Sequence, residues 1–339
     1  MHQILVHQSG NCFHSKETSK SNRNVHQIIN YHNFSPWEAS LNASEFISSL
    51  TPDFNIASDN NNSREVNEIF RKGSTTYFNS SRFFPSHIRR DVSGLYAFVR
   101  IADNYVDSIP QCRDGFYLFS SEFENCFKSG TSDNTIIRGF VSIMDRTGIE
   151  VEHVRAFLKS MEMDLYRSIY NTVDDVLEYI YGSAEVIGLM MHRILGLDKS
   201  SEYYATVLGR AMQFLNFIRD VNEDNSLGRI YLPADEMREY GLSDLREKTA
   251  RSNPKGFVTF MRSQLDRFFE WDREARKGFR SIPSRSLIPV KTAEDMYLWT
   301  GRRIYSNPMI VFEKKVKPEK ARIVSRVVLN SIGLPIWKF

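Results

Sequence analysis

Two runs of residues in this 339-residue chain put carboxylates at helical spacing. The first is Arg100-Ile-Ala-Asp103-Asn-Tyr-Val-Asp107. Residues four apart on a helix lie one above the other, so Asp103 and Asp107 share a face that Arg100 and Tyr96 join. The second is Gln213-Phe-Leu-Asn216-Phe-Ile-Arg219-Asp220-Val-Asn-Glu223-Asp224, in which Asn216, Asp220 and Asp224 form an oxygen-rich stripe with Arg219 and Glu223 beside it. A lone DxxxD is most often a solvated acidic turn, and an acidic stripe on a buried helix is often a set of satisfied ion pairs. The flanks weaken those plain readings. Leu95, Tyr96, Val99, Val106 and Ile109 around the first run, and Phe214, Leu215, Phe217, Ile218 and Val221 around the second, mark both helices as mostly buried. Buried carboxylates need cations or donors.

Two such helices facing each other across a cavity would crowd like charges unless divalent cations sat between them. Mg²⁺ prefers oxygen ligands and commonly binds through a few carboxylates plus substrate phosphates; Mn²⁺ is the alternative. Arg100, Arg219 and Arg229 could then clamp a diphosphate. Metal and guanidinium together neutralise a departing diphosphate and help a carbon–oxygen bond ionise. The 24 Phe and 15 Tyr would suit a cavity for polyprene chains and carbocations, although most of them are ordinary core.

The elements that must position these stripes are helical. Pro85 can start a helix in which Val92, Leu95, Tyr96, Val99 and Ala102 follow at helical spacing, and Pro110 ends it. Thr172 can cap a long helix through Val176, Tyr179, Ile180, Ser183, Ile187 and Met190, closed by Gly196. A third long helix is predicted over 202–224, before Gly228, with further helices over 134–146, 150–168, 254–280 and 291–306. No alternating strand pattern of useful length appears, so the predicted class is all-α, a single-domain helical bundle around a central cavity. Residues 1–62 differ: rich in Asn, Ser and His, they read as a flexible or loosely docked extension to a catalytic domain over 63–339.

Composition narrows the function classes. The 44 Lys plus Arg nearly balance 41 Asp plus Glu, and a net charge of +3 does not suggest a nucleic-acid partner. Cys12, Cys112 and Cys126 show no CxxC spacing; neither a disulfide framework nor a zinc site is indicated, and a reducing compartment is the default. No apolar run approaches the ~20 residues that span a bilayer. The start lacks the apolar core of a secretory signal, which suggests a cytoplasmic protein. Organellar targeting stays open, though Glu17, Glu38 and Glu45 fit poorly with an acid-poor transit peptide. Lys314, Lys315 and Lys317 read most simply as a solvated tail, with peripheral membrane contact as the alternative.

In order along the chain, these motifs resemble the phytoene and squalene synthases. Ser74-Thr-Thr-Tyr77, Phe84-Pro85 and Leu95 through Asp107 are similar to the family's Ser-x-x-Phe/Tyr element and its Pro-led helix with DxxxD. Tyr179-Ile-Tyr181-Gly-Ser-Ala184-Glu-Val-Ile-Gly188 is similar to the YxYxVAGxVG helix. Asn216 to Asp224 followed by Gly228-Arg229-Ile-Tyr231-Leu-Pro233 resembles the NxxRDxxED…GRxYLP signature, and Tyr297 with 307–316 resembles the closing helix and basic tail. The resemblance covers about residues 63–330 and implies an isoprenoid synthase fold. It implies magnesium ligation by Asp103 and Asp107 at one diphosphate and by Asn216, Asp220 and Asp224 at the other. It implies phosphate contacts from Arg100, Arg219 and Arg229, a reaction chamber lined by Tyr96, Tyr179 and Tyr297, and Ser74, Tyr77 and Gln213 near the substrate. The reaction implied is head-to-head joining of two prenyl diphosphates through a cyclopropyl diphosphate.

Two positions depart from the family pattern. Asn104 stands where many relatives carry an acid, off the i,i+4 pair. Glu185 stands where Gly is usual, and it would reshape the pocket or pair with a nearby arginine. Ser81 and Ser93 stand where relatives that take C15 substrates tend to carry larger aromatics. The small side chains favour the C20 diphosphate and phytoene, a product that needs no NADPH; squalene or dehydrosqualene from the C15 diphosphate is the runner-up. Rival readings are a head-to-tail elongase or terpene cyclase, against which the RDxxED…GRxYLP context argues, and a non-catalytic scaffold, whose signature would be lost carboxylates.

Overall fold

The computed structural model describes residues 60–73 and 75–332. Helix follows helix: α1 (Asn60–Gly73), α2 (Thr75–Ser81), α3 (Ser86–Asp107), α4 (Arg113–Ser129), α5 (Thr135–Thr147) and α6 (Val151–Met163).

 The run continues with α7 (Val173–Ile180), a π-helical turn (Tyr181–Glu185), α8 (Val186–Ile194), α9 (Glu202–Arg219), α10 (Val221–Ser226), α11 (Ala234–Glu239) and α12 (Glu247–Ser252). It ends with α13 (Pro254–Ala275), α14 (Ser284–Ser306), α15 (Ile310–Glu313) and α16 (Lys320–Ser331). Among the described residues the only β pairing is one isolated parallel bridge, Ile169 to Ile230, so the all-α expectation holds. The expected domain boundary at 62/63 falls inside α1, and the extension before residue 60 lies outside the described residues, as does Ser74.

The local signals explain most boundaries. Pro85 precedes α3, as its fixed φ favours. Thr172 caps α7 reciprocally: its hydroxyl accepts from the Asp175 N–H, and the Asp175 carboxylate accepts from the Thr172 N–H. Asn134 caps α5 and Asn253 caps α13.

Other boundaries differ from the sequence reading, each for a visible reason. The helix expected over 150–168 stops at Met163 because side chains take the next carbonyls: Gln111 donates to the Asp164 C=O at 2.7 Å and Arg113 to the Leu165 C=O at 2.6 Å. The helix expected from 291 begins at Ser284 and carries Pro289 inside it; a proline near the start of a helix removes a single backbone bond. The helix expected over 202–224 kinks at Asp220, whose φ is −98°. The ladder resumes with the Asp224 N–H donating to the Asp220 C=O at 2.8 Å, so the i,i+4 register of the stripe survives. Helix α4 was not anticipated: Gly115 and its serines obscure the buried Phe116, Phe119, Phe123 and Cys126. Cys126 is free and buried.

The core is continuous along the bundle. Helix α9 packs on α8, on the π turn and on α13. The closest approach depends on glycine: a Cβ on Gly188 would sit 2.3 Å from the Ala205 carbonyl oxygen, and one on Gly209 2.4 Å from that of Ala184. A π turn, Tyr181–Glu185, immediately precedes α8, and such turns often mark functional segments. Glu185, buried there, is held by Arg210 Nε at 2.6 Å. The charge at the family's glycine position is therefore met by an arginine, and the close packing is kept by Gly188 and Gly209. No described helix is long and apolar enough to cross a membrane.

Candidate active site

A cavity of about 410 Å³ lies between α2, α3, α6 to α9 and α14. Two helices give it direction. Along α3 the wall passes from Val92, Leu95 and Val99 to Arg100 and Asp103. Along α9 it passes from Tyr204 and Leu208 to Gln213 and Asn216. Both helices run from an apolar end to a polar mouth over about 17 Å of helix. That is the shape an amphiphile with a charged head and a long apolar tail requires.

The expected residues divide into those on the wall and those at the mouth. Tyr77, Tyr96, Tyr179 and Tyr297 line the cavity with Arg100, Asp103, Gln213 and Asn216. Tyr77 and Tyr297 join α2 to α14 through a 2.8 Å bond between their hydroxyls, and Tyr96 stacks on Phe70. Asp107, Arg219, Asp220, Asp224 and Arg229 are not wall residues. They reach the mouth through ion pairs and shared fields.

At the α3 side, Arg100 Nη1 holds Asp103 Oδ2 at 2.7 Å, and Arg229 Nη1 holds Asp107 Oδ1 at 2.6 Å. Gly228, at φ 72°, turns the chain after α10 so that Arg229 and Tyr231 run back toward α3 and α7. The Ile230 N–H then donates to the Ser168 C=O at 2.8 Å and pins that return. At the α9 side, Arg219 binds its neighbour Asp220 through Nε and Nη2 at 2.8 and 2.5 Å. Lys315 Nζ adds contacts of 3.0 Å to Asp220 and 3.4 Å to Glu223.

The carboxylates feel one another across the mouth. Burial and the Asp107 charge push Asp103 up to about 7, against the pull of Arg100. Burial, then Asp220 and Asp107, hold Asp224 well above the ordinary range. Asp220 goes the other way: burial would raise it, but Arg219 and Lys315 outweigh burial and leave it below its usual value. Asp107 thus acts on both Asp103 and Asp224, which brings the two stripes into one site. The Asn216 Oδ1 atom is buried there with no hydrogen-bond partner, while its Nδ2 donates to Gln213 Oε1 at 3.1 Å. Among the described residues no group of three or more acidic, His or Cys side chains is gathered tightly enough to hold an ion unaided.

Sequence reasoning missed three participants. Asp164, in the loop after α6, accepts from the Tyr179 hydroxyl at 2.6 Å and the Tyr231 hydroxyl at 2.8 Å. Burial pushes it up to about 6 despite Arg229 and those two donors. Tyr231, visible beforehand as part of the GRxYLP match, stacks on Phe217 at 4.4 Å and so carries that loop onto α9. Lys315 is not the solvated tail residue expected: only 8% of its side chain is exposed, and it faces the acid stripe. Lys317, beside it, is pushed down to about 8 by burial and by Lys315.

Of the two serines tied to product length, Ser81 lines the cavity next to Phe84, whereas Ser93 is buried away from the wall and donates to the Arg89 C=O at 2.8 Å.

Residues 70–322 match the squalene/phytoene synthase family model. A phytoene synthase 2 of Solanum lycopersicum, named as chloroplastic, is 29% identical over 269 residues, covering 75% of this chain and 85% of that protein. A 15-cis-phytoene synthase of Synechococcus elongatus is 25% identical, covering 74% and 86%. In fold, the chain is similar to a crystal structure of a dehydrosqualene synthase in complex with ligand, at a TM-score of 0.72 and 21% identity, covering 80% of this chain and 95% of the other. With the family model spanning both carboxylate stripes and the cavity between them, the chain belongs to the squalene/phytoene synthase family.

Proposed function

We propose that this protein is a transferase that condenses two prenyl diphosphates head to head, taking the C20 diphosphate and releasing phytoene. The observation that carries the reading is the cavity's polarity: Arg100 and Asp103 of α3 and Gln213 and Asn216 of α9 line one end of a largely apolar chamber. The diphosphates bind at that mouth and the polyprene tails lie along the apolar wall, where each buried methylene contributes about 0.8 kcal/mol.

The residues fit a divalent cation. The donors are hard oxygens, and the orphaned Asn216 Oδ1 is an acceptor without a proton to meet it. Asp103 and Asp107 would hold Mg²⁺ or Mn²⁺ on one side and Asn216, Asp220 and Asp224 on the other, with phosphate oxygens completing the shell. When bound, the ion supplies Lewis-acid neutralisation of the diphosphate. Arg100, on the cavity wall, donates to phosphate oxygens, and Arg219 and Arg229 orient Asp220 and Asp107 at the same mouth. Tyr96, Tyr179 and Tyr297 offer ring faces and fixed hydroxyl dipoles to the allylic cation; Asp164 orients the Tyr179 hydroxyl. The walls keep water from the cation, which would otherwise be trapped as an alcohol.

The choice of C20 over C15 rests on Ser81, whose small side chain leaves depth in the wall. Phe84 lines the cavity beside it and supports the second reading, squalene or dehydrosqualene from the C15 diphosphate. Comparing kcat/KM for the two diphosphates, with and without NADPH, tests the choice. Preference for C20 with no need of NADPH is expected; preference for C15, or NADPH-dependent product, overturns it.

Residues 1–62 are proposed to lie outside the catalytic unit, so a chain begun just ahead of α1 keeps its turnover and thermal stability. A cytoplasmic location with peripheral membrane contact suits lipidic substrates, and the chloroplastic names of plant relatives support organellar targeting as the alternative.

A further inference from the structure

A second cleft, of about 240 Å³, lies away from the cavity where α14 packs on α16. Four arginines line it, Arg276, Arg302, Arg322 and Arg326, with Trp299 and one carboxylate, Asp295. These cations come from three separate elements, so the cluster is made by the fold and is not a run of sequence.

Their partners are few. Arg276 Nε lies 3.1 Å from Glu294 Oε1. Arg326 Nε reaches Asp295 Oδ2 only at 3.8 Å, and that carboxylate is already shared with Lys291 Nζ at 3.6 Å and Asn330 Nδ2 at 3.2 Å. Arg322 has no acidic partner among the described residues; its guanidinium lies over the Trp299 ring, 4.9 Å from the centroid. Arg302 is exposed, and its side chain makes no hydrogen bond or ion pair among the described residues. The acids behind the cleft do not balance this charge. Burial and the Asp272 charge push Glu294 up to about 8, so this pair retains a proton at neutral pH. The cleft is therefore left with an excess of positive charge. Two of its guanidiniums are free of carboxylates, and one of those is oriented by an aromatic face.

We propose that this cleft is a second anion site, separate from the cavity mouth, that takes a phosphate group. Guanidinium forks match phosphate oxygens two at a time, and an anion between Arg302, Arg322 and Arg326 relieves their mutual repulsion. The same chemistry is presented by free inorganic diphosphate and by the phosphate of an anionic lipid headgroup. Val328, Leu329 and Ile332 are exposed further along the C-terminal segment that carries Arg322 and Arg326, which suits the lipid.

The test uses the full chain and the double variant Arg302→Gln, Arg322→Gln, neither of which breaks an ion pair. One arm titrates inorganic diphosphate by calorimetry without divalent metal. The other measures co-sedimentation with phosphatidylcholine vesicles with and without phosphatidylglycerol. The site is supported if the double variant binds at least about tenfold more weakly in either arm, with turnover on prenyl diphosphates unchanged. Loss in the titration identifies a free-anion site, and loss confined to phosphatidylglycerol vesicles identifies a lipid site. Equal binding by wild type and variant in both arms overturns the proposal. If the double variant does not fold, Arg302→Gln alone must still weaken binding, and Arg302→Lys must restore part of it; an unchanged single variant overturns the proposal equally.

Discussion

Two groups of acids, one partly exposed and one buried, use the same side chains to opposite ends. At the cavity mouth Asp103, Asp107, Asp220 and Asp224 are accompanied by Arg100, Arg219 and Arg229. Behind α13 and α14, Asp272, Glu294 and Asp295 are accompanied by Arg276, Lys291 and Arg326. Both groups desolvate carboxylates and push some of them upward. Only the first opens onto an apolar cavity; each group includes a buried amide oxygen that no donor satisfies, Asn216 Oδ1 at the mouth and Asn330 Oδ1 beside Asp295. In the second, the other unsatisfied oxygens belong to Glu294, which has Arg276 and Lys291 within ion-pair range. Carboxylates and arginines together therefore do not define a site. What distinguishes the mouth is the apolar cavity it faces.

The largest expected contrast is in turnover. Asp103→Asn should cost at least about a hundredfold in kcat, the scale of removing one group that stabilises developing charge, whereas Glu294→Gln should leave kcat within about twofold. Steady-state rates at saturating metal check both. Near-normal turnover in Asp103→Asn would erase the distinction.

Stability sharpens the contrast within the mouth. Asp220→Asn removes the carboxylate that Arg219 and Lys315 both hold and should cost about 3–5 kcal/mol. Asp103→Asn should be close to neutral, because burial already disfavours its ionised form. Denaturant melts of the two variants at pH 7 measure the difference.

A smaller effect concerns pH. Glu294 has a folded-state pKa of about 8 against an ordinary 4.5. Its proton is held more tightly in the folded than in the unfolded chain, so its contribution to stability is full below the ordinary value and is lost as pH rises through about 8. Asp103, at about 7 against 3.8, behaves in the same direction. Each neutral variant should flatten part of the fall in thermal midpoint between about pH 5 and 8. A steeper fall in either variant would reverse the assigned sign.

The smallest effect tests chain length. Ser81→Phe should lower kcat/KM for the C20 diphosphate by about tenfold and spare the C15 diphosphate, since overfilling a packed wall is unfavourable. No loss for C20 would remove Ser81 from the account.

The parts legible in the sequence were those with a period. Helix α3, the capped helix from Thr172 and the α9 stripe are written in spacing, and the structure brings their wall residues to one cavity. The mouth's other members are not written that way. Asp164, Arg229 and Asp107 meet from a loop, a turn and a helix far apart in the chain, and no local pattern links them. Lys315 looked like a tail residue because its partners lie on α9 and α10. Ser93 looked like a pocket residue from its place in the motif, but the face of α3 it occupies turns it away from the wall. The arginine cleft was illegible for the same reason as Asp164: its four cations are adjacent only after folding.

The central claim is that the two stripes handle two diphosphates in one head-to-head condensation, and the stoichiometry of release tests it most directly. Purified protein is incubated with Mg²⁺ and the C20 diphosphate, and released diphosphate is counted against hydrocarbon. Two diphosphates for each C40 hydrocarbon, formed without NADPH, is the predicted result. One diphosphate per coupling with a longer prenyl diphosphate as product, or diphosphate released with prenyl alcohol alone, would contradict it.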